Sequence, residues 1–244
     1  MAGGGSRGVP AHAERPLPAP VGPLGLLATF VGAQVCGGLL IGLVLGVAGA
    51  QGRGLSNWAV RLTYDLSSLL LLAATLLALR LARLRAGALA GLWRWPGTGA
   101  LLLGLGAGLV LKVGGDVAAV LQAPLLGAVR GNNPLVLHPT AFASPLLIAG
   151  LVVAVVVVAP VAEELFFRGL LYGWLRTRLP VPAAVAIAAG LFSVAHFQLG
   201  LLLPLAVVGA GLCLLYERSR SLWLPAAAHA AVNAGSLLLA LWLR

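Results

Sequence analysis

Seven apolar runs, each close to the length of a membrane crossing, follow one another along the chain with short polar breaks between them. They cover residues 24–49, 59–80, 99–122, 143–162, 182–198, 200–216 and 222–242. A helix needs about 20 mainly apolar residues to cross the hydrocarbon. The pattern therefore predicts an all-α, polytopic transmembrane helical bundle of about seven spans, with six to eight compatible with the run lengths. Composition agrees: 60% of the 244 residues are hydrophobic and 9% are charged, and mean hydropathy is +1.02. Such a chain is excluded from the water-soluble globules.

Three regions differ in character. Residues 1–23 hold Pro10, Pro16, Pro18, Pro20 and Pro23 among Gly, Ala, Glu14 and Arg15, and read as a flexible tail. Residues 24–142 carry the N-terminal transmembrane helices, and residues 143–244 carry the helices that hold most of the chemistry. The run from Leu24 to Ala50 is too long for a signal-peptide core and lacks a basic cluster immediately before it, so a retained span with nothing cleaved is expected.

The formal charge of +10 would suggest nucleic acid in a soluble protein. Here the arginines lie between spans, so they report topology, and no nucleic-acid partner is expected. Arg80, Arg83, Arg85 and Arg94 mark one loop, Arg176 and Arg178 a second, and Arg218 and Arg220 a third. The alternate loops hold little beyond Arg53, Arg61 and Arg130. With Arg7 and Arg15 on the richer side, the N-terminus is expected in the cytosol and the C-terminus outside. The bias to Ala, Leu, Gly and Arg over Lys points to a GC-rich bacterial genome, hence to a bacterial inner membrane. Residues 123–144 read as an external loop in which His138 is solvated.

Other polar or small residues have structural readings. Cys36 and Cys213 lie in apolar runs without neighbouring ligands and read as small buried hydrophobes. Gly38, Gly42 and Gly46, and again Gly104 and Gly108, recur every fourth residue and suit close helix packing. Lys112 and Asp116 are one turn apart and can pair, a proton or ion path being the alternative.

The stretch "VVVVAPVAEELFFRG", residues 155–169, places Glu163 and Glu164 at the end of a strongly apolar run. The chain has six acidic residues in all, and a carboxylate in hydrocarbon costs a few kcal/mol, so this pair is a functional hypothesis by default. Glu164 and Arg168 are four apart with the acid nearer the amino end, the favourable order for an ion pair. Glu163 points elsewhere and is free to take a proton. Phe192 and His196 are likewise four apart in the next run, as are His229 and Asn233 in the last. If residues 143–178 form one helix and Pro180 with Pro182 make the turn, Glu163 lies 17 residues before Pro180 and His196 16 after it. A helical hairpin then sets them side by side, roughly 25 Å from a tip that projects from the membrane. His229 stands eight residues after Ser221, about 12 Å up its own helix.

A glutamate facing a histidine in a dry cavity can deprotonate water directly, or the two can hold a metal whose bound water is acidified. Both readings stay open. His229 and Asn233 supply N–H donors on one face, suited to the oxyanion that forms when water attacks a peptide carbonyl. Other protease chemistries fit less well. HExxH and Gly-x-Gly-Asp are missing, Asp65 and Asp116 form no clear dyad, and Ser193, which could mimic a dyad with His229, lacks a Gly-x-Ser-Gly setting.

These residues resemble a known family. "EELFFR" matches the EExxxR motif, "FSVAH" the FxxxH motif and "HAAVN" the HxxxN motif of the CPBP intramembrane proteases, which include the CAAX prenyl endopeptidases and bacterial Abi-type proteins. The order matches too, over residues 160–235. The resemblance implies Glu163 as catalytic base, with His196, Glu164 and Arg168 in support and His229 with Asn233 at the oxyanion. It leaves open whether zinc or glutamate alone activates the water, and the first four spans add nothing specific to the family. The function expected is hydrolysis of a peptide bond in a membrane-anchored or lipidated peptide or protein, with the lipid bilayer as the other partner. The alternatives are a non-catalytic membrane immunity or scaffold partner and a proton-coupled transporter with a Glu-His relay. A transporter would bring paired interrupted helices in two related halves, a symmetry not found here.

Overall fold

A computed structural model describes residues 22–50, 57–81, 92–126, 145–196 and 198–242. The tail, the arginines at 53, 83, 85 and 130, and the expected external loop from residue 127 to 144 with His138 fall outside the described residues. Among the described residues all regular structure is helical. The protein is a polytopic helical bundle, and its helices coincide with the seven apolar runs.

These helices are α1 (Pro23–Ala50), α2 (Asn57–Leu81) and α3 (Thr98–Leu126), then a long rod α4 over residues 145–176, then α5 (Val181–Val194), α6 (Leu202–Ser219) and α7 (Trp223–Trp242). The last turn of α3 takes up residues 123–126, including Pro124, which the sequence pattern assigns to the loop. Among the described residues, four helices are long and apolar enough to cross a membrane: Thr98–Leu125, Ile148–Arg176, Leu199–Ser219 and Trp223–Ala240. The fifth apolar run departs from its expected length. Its helix stops at Val194 after 14 residues, a rise of only about 21 Å. The turn into α6 therefore lies within the depth of the bilayer.

The rod α4 alternates helix types. Val153–Val158 and Leu165–Tyr172 are π-helical, and the pieces between and around them are α-helical. Pro160 explains the first change: it has no N–H, and the Ala159 N–H bonds back five residues to the carbonyl of Ala154. The carbonyl of Val155 is left without its backbone donor, and a side chain from another helix supplies one.

α3 is the platform for α7. A Cβ on Gly108 would stand 2.2 Å from the Ala228 carbonyl, and one on Gly104 would stand 2.9 Å from that of Leu224. Only glycine permits this approach, the close packing that the four-residue spacing predicts. The side chains of Gly38, Gly42 and Gly46 lie outside the described set. At its base α7 is stitched to residues 92–94: Ser221 Oγ donates to the Arg94 carbonyl at 2.7 Å, the Leu222 N–H to Leu92 at 2.7 Å, and Trp223 Nε1 to Trp93 at 2.8 Å. α6 is bound to the lower end of α4 through Glu217, which accepts from Tyr172, Arg176 and Arg220.

Elsewhere, Lys112 bonds both oxygens of Asp116 at 2.6 Å. The Asp116 side chain is 58% exposed and that of Lys112 15%, so the acid end of the pair faces outward. Cys213 is buried as expected, whereas Cys36 is exposed on α1, where an apolar side chain can face lipid as readily as core.

Candidate active site

The four-residue spacings and the hairpin bring the predicted residues to one place. α4 supplies Glu163, Glu164 and Arg168, α5 ends two residues before His196, and α7 supplies His229 and Asn233. Hairpin counting puts Glu163 beside His196, and the Glu163 Oε2 to His196 Nε2 distance is 3.9 Å.

One side of the site is locked. Arg168 Nη1 donates to Glu164 Oε1 at 2.8 Å, and both side chains are wholly buried. Arg168 also donates to the Gly209 carbonyl at 3.2 Å and lies 4.7 Å over the Phe192 ring. Glu164 does more than neutralise the arginine. The same Oε1 accepts a hydrogen bond from His229 Nδ1 at 2.9 Å, a link that no spacing along one helix reveals. Phe192, 1% exposed, sets its ring edge to face against His196, His229 and Phe167. It fixes both imidazole planes by packing.

The other side is open. Glu163 is 19% exposed and His196 29%, against 5% for His229. His196 Nδ1 lies 2.8 Å from the Phe192 carbonyl. A carbonyl only accepts, so Nδ1 carries a proton, and in the neutral tautomer Nε2 offers a lone pair toward Glu163. The same logic applies to His229: Nδ1–H goes to Glu164, and Nε2 faces Glu163 Oε2 at 3.9 Å. Glu163 Oε2 is a buried atom with no hydrogen-bond partner. With both rings in that neutral tautomer, three acceptors converge across gaps too wide for a direct hydrogen bond. Such a constellation calls for a shared proton, a water or a cation.

As to a metal, two imidazoles and a carboxylate are a suitable donor set for catalytic zinc, but a tetrahedral site with bonds of 2.0–2.2 Å needs donor atoms roughly 3.4 Å apart. The 3.9 Å separations exceed that by about half an ångström, and among the described residues no group of three His, Cys, Asp or Glu side chains has metal-binding spacing. As placed, these residues do not fit tetrahedral zinc.

Asn233 departs from the role it shares with His229 in the sequence pattern. Its Nδ2 donates at 2.8 Å to the Val155 carbonyl, the group freed by Pro160 and the π-helical turn. One amide N–H is thus committed to holding α7 against α4, and one remains. Ser193 does not act with His229, because its Oγ donates to the Leu202 carbonyl at 2.5 Å. Gln122 on α3 is buried close to the same turn and is absent from the sequence-based set. A lone glutamine in an apolar run is the only signal the sequence gives of it.

Comparison with known proteins adds two findings. Residues 143–235 match the family described as Rce1-like, type II CAAX prenyl endopeptidase. The chain is also similar to YdiL of Bacillus subtilis (strain 168), named as a candidate membrane peptidase. The two are 31% identical over 77 residues, 32% of each chain, so this chain covers about a third of that relative's length. No solved structure matches. The matched segment contains the whole EExxxR, FxxxH and HxxxN series in order, on helices that bring the three motifs together, and over this segment the chain is similar to the type II CAAX prenyl endopeptidase family.

Proposed function

We propose that the chain is an intramembrane endopeptidase, hydrolysing a peptide bond of a membrane-anchored or lipidated substrate with water activated at Glu163. The observation that carries this reading is the convergence of Glu163 Oε2, which has no other partner, with the Nε2 atoms of two histidines. A water in that gap gives one proton to Glu163 while its oxygen attacks the carbonyl carbon. The C–O bond forms as the carbonyl π pair moves onto oxygen. Collapse breaks the C–N bond, and Glu163 returns the proton to the departing amine. His196, through its Nε2 lone pair, orients the water.

His229 serves the oxyanion once protonated at Nε2, with the Glu164 carboxylate 2.9 Å from Nδ1 supporting the imidazolium. This is the division of labour by which a buried carboxylate steadies a catalytic histidine. The second N–H of Asn233 is the other candidate donor. Arg168 holds Glu164 in place through the 2.8 Å ion pair.

Zinc is the alternative activator, and it would require Glu163, His196 and His229 to draw in by about half an ångström. The membrane proposed is a bacterial inner membrane with the N-terminus cytosolic. In support, Arg94, Arg176 and Arg220 gather at one end of the bundle through Ser221 and Glu217. A prenylated substrate needs a lipidated C-terminal cysteine, for which this sequence shows no selection. A membrane-anchored or bacteriocin-like precursor peptide is the better candidate.

The test is cleavage of a library of lipidated and transmembrane peptides by purified protein in detergent, comparing wild type with Glu163→Ala and His196→Ala, with and without a zinc chelator. Loss in both variants without chelator sensitivity is expected. Chelator sensitivity would move the activation step to zinc, and equal behaviour of folded mutants and wild type would overturn the reading in favour of a non-catalytic membrane partner.

A further inference from the structure

The α5–α6 turn is irregular backbone at membrane depth. Val194 stands no more than about 21 Å from the Val181 end of α5, which follows Arg178, and Leu202 no more than about 27 Å from the end of α6 that bears Arg218, both short of the ~30 Å hydrocarbon thickness. Lipid offers no hydrogen bonds at that depth, so the free N–H and C=O groups of the turn depend on protein partners or on water in the site. Gln122, 3% exposed on α3, serves three of them. Its Nε2 donates to the carbonyls of Gly200 at 2.8 Å and Leu199 at 3.4 Å, and its Oε1 accepts the Leu203 N–H at 2.7 Å. The Leu203 N–H is one of the donors that the first turn of α6 leaves unpaired, so Gln122 caps that helix from a different one. Ser193, on the other arm, donates to Leu202.

His196 precedes Gly200 by four residues. On its amino side it is held by its own N–H to Ser193 at 3.2 Å and by Nδ1 to Phe192. On its carboxyl side the nearest side-chain anchor among the described residues is Gln122. We infer that Gln122 is a positioning residue for His196, fixing the turn that aims its Nε2 at Glu163. The residue lies outside the family-matched segment, which begins at residue 143, so the N-terminal half of the chain contributes to the site. The consequence for catalysis rests on the proposed peptidase reading, whereas the placement of His196 does not.

Two readouts test this separately, on full-length protein in micelles with 15N-labelled histidine. The chain has four histidines, and His196→Gln identifies the His196 signal. In Gln122→Met, similar in size but without the carboxamide, the His196 ring signals should shift or broaden beyond detection while those of His229 stay in place. Cleavage should fall about 10- to 100-fold in kcat with KM within about twofold, the cost of misplacing a catalytic group by an ångström. Gln122→Glu, which when protonated keeps one donor and one acceptor, should recover part of that loss. If Gln122→Met does not fold, Ser193→Ala loosens the same turn by one bond and should shift the same signal less. An unmoved His196 signal overturns the inference, as does an equal disturbance of His196 and His229, which would mean general loosening. Should wild type cleave no peptide, the peptidase reading fails while the spectra still decide on Gln122.

Discussion

The two halves of the site solve opposite problems with neighbouring carboxylates. Glu164 is wholly buried and shares one oxygen between Arg168 and His229. Each carboxylate keeps one oxygen without a hydrogen-bond partner, but that of Glu163, the preceding residue, lies on the side where the pocket is partly exposed. A helix turns by about 100° per residue, so two adjacent side chains can face a sealed network and a reaction space at once. The locked half holds His229 in place at no cost in reactivity, and the open half stays reactive because nothing satisfies it. Stability and chemistry are thereby separated within a single Glu-Glu step.

Breaking the locked half should have the largest effect. Arg168→Met leaves Glu164 buried beside only a histidine, and losing one partner of a buried pair costs about 3–5 kcal/mol. Thermal unfolding in detergent should show a collapse of the melting temperature or no folded protein at all. The double variant Glu164→Leu with Arg168→Met removes both charges, so most of the stability should return. Cleavage should not return, because His229 has then lost its Nδ1 partner, and this outcome sharpens the comparison most. In the open half, His196→Gln should lower peptide cleavage by about 100-fold or more with the melting temperature unchanged. Asn233→Ala removes the donor to Val155 across α4 and α7. A cost of about 1 kcal/mol is expected, since hydrogen bonds between membrane helices are individually modest. The double variant Lys112→Leu with Asp116→Leu touches neither half and should leave cleavage within about twofold, because the two side chains bond to each other and to none of the site residues.

What was legible in the sequence was whatever repeats along one helix. Apolar run lengths gave the helices, four-residue spacing gave Glu164–Arg168 and the Gly104–Gly108 packing face, and counting from Pro180 gave the meeting of Glu163 with His196. Relations between helices were not legible. His229 and Asn233 share a face and so look equivalent, yet α4 presents carboxylates to one and the bare Val155 carbonyl to the other. The cause is Pro160, whose missing N–H is visible in the sequence but whose effect on Val155 needs the π-helical turn. The early end of α5 at Val194 was hidden because Leu199–Leu203 continues the apolar run while turning the chain. Gln122 was hidden for the same reason, since its partners are 77 to 81 residues away.

The separation of stability from chemistry is tested most directly on Glu163→Gln, by its melting temperature together with its rate on the peptide that wild type cuts fastest. The account predicts a melting temperature within about 2 °C of wild type, because Glu163 Oε2 has no hydrogen-bond partner to lose. It also predicts a rate lower by about 1,000-fold, within the range for removing a general base. A folded Glu163→Gln protein that cleaves at close to the wild-type rate would contradict it.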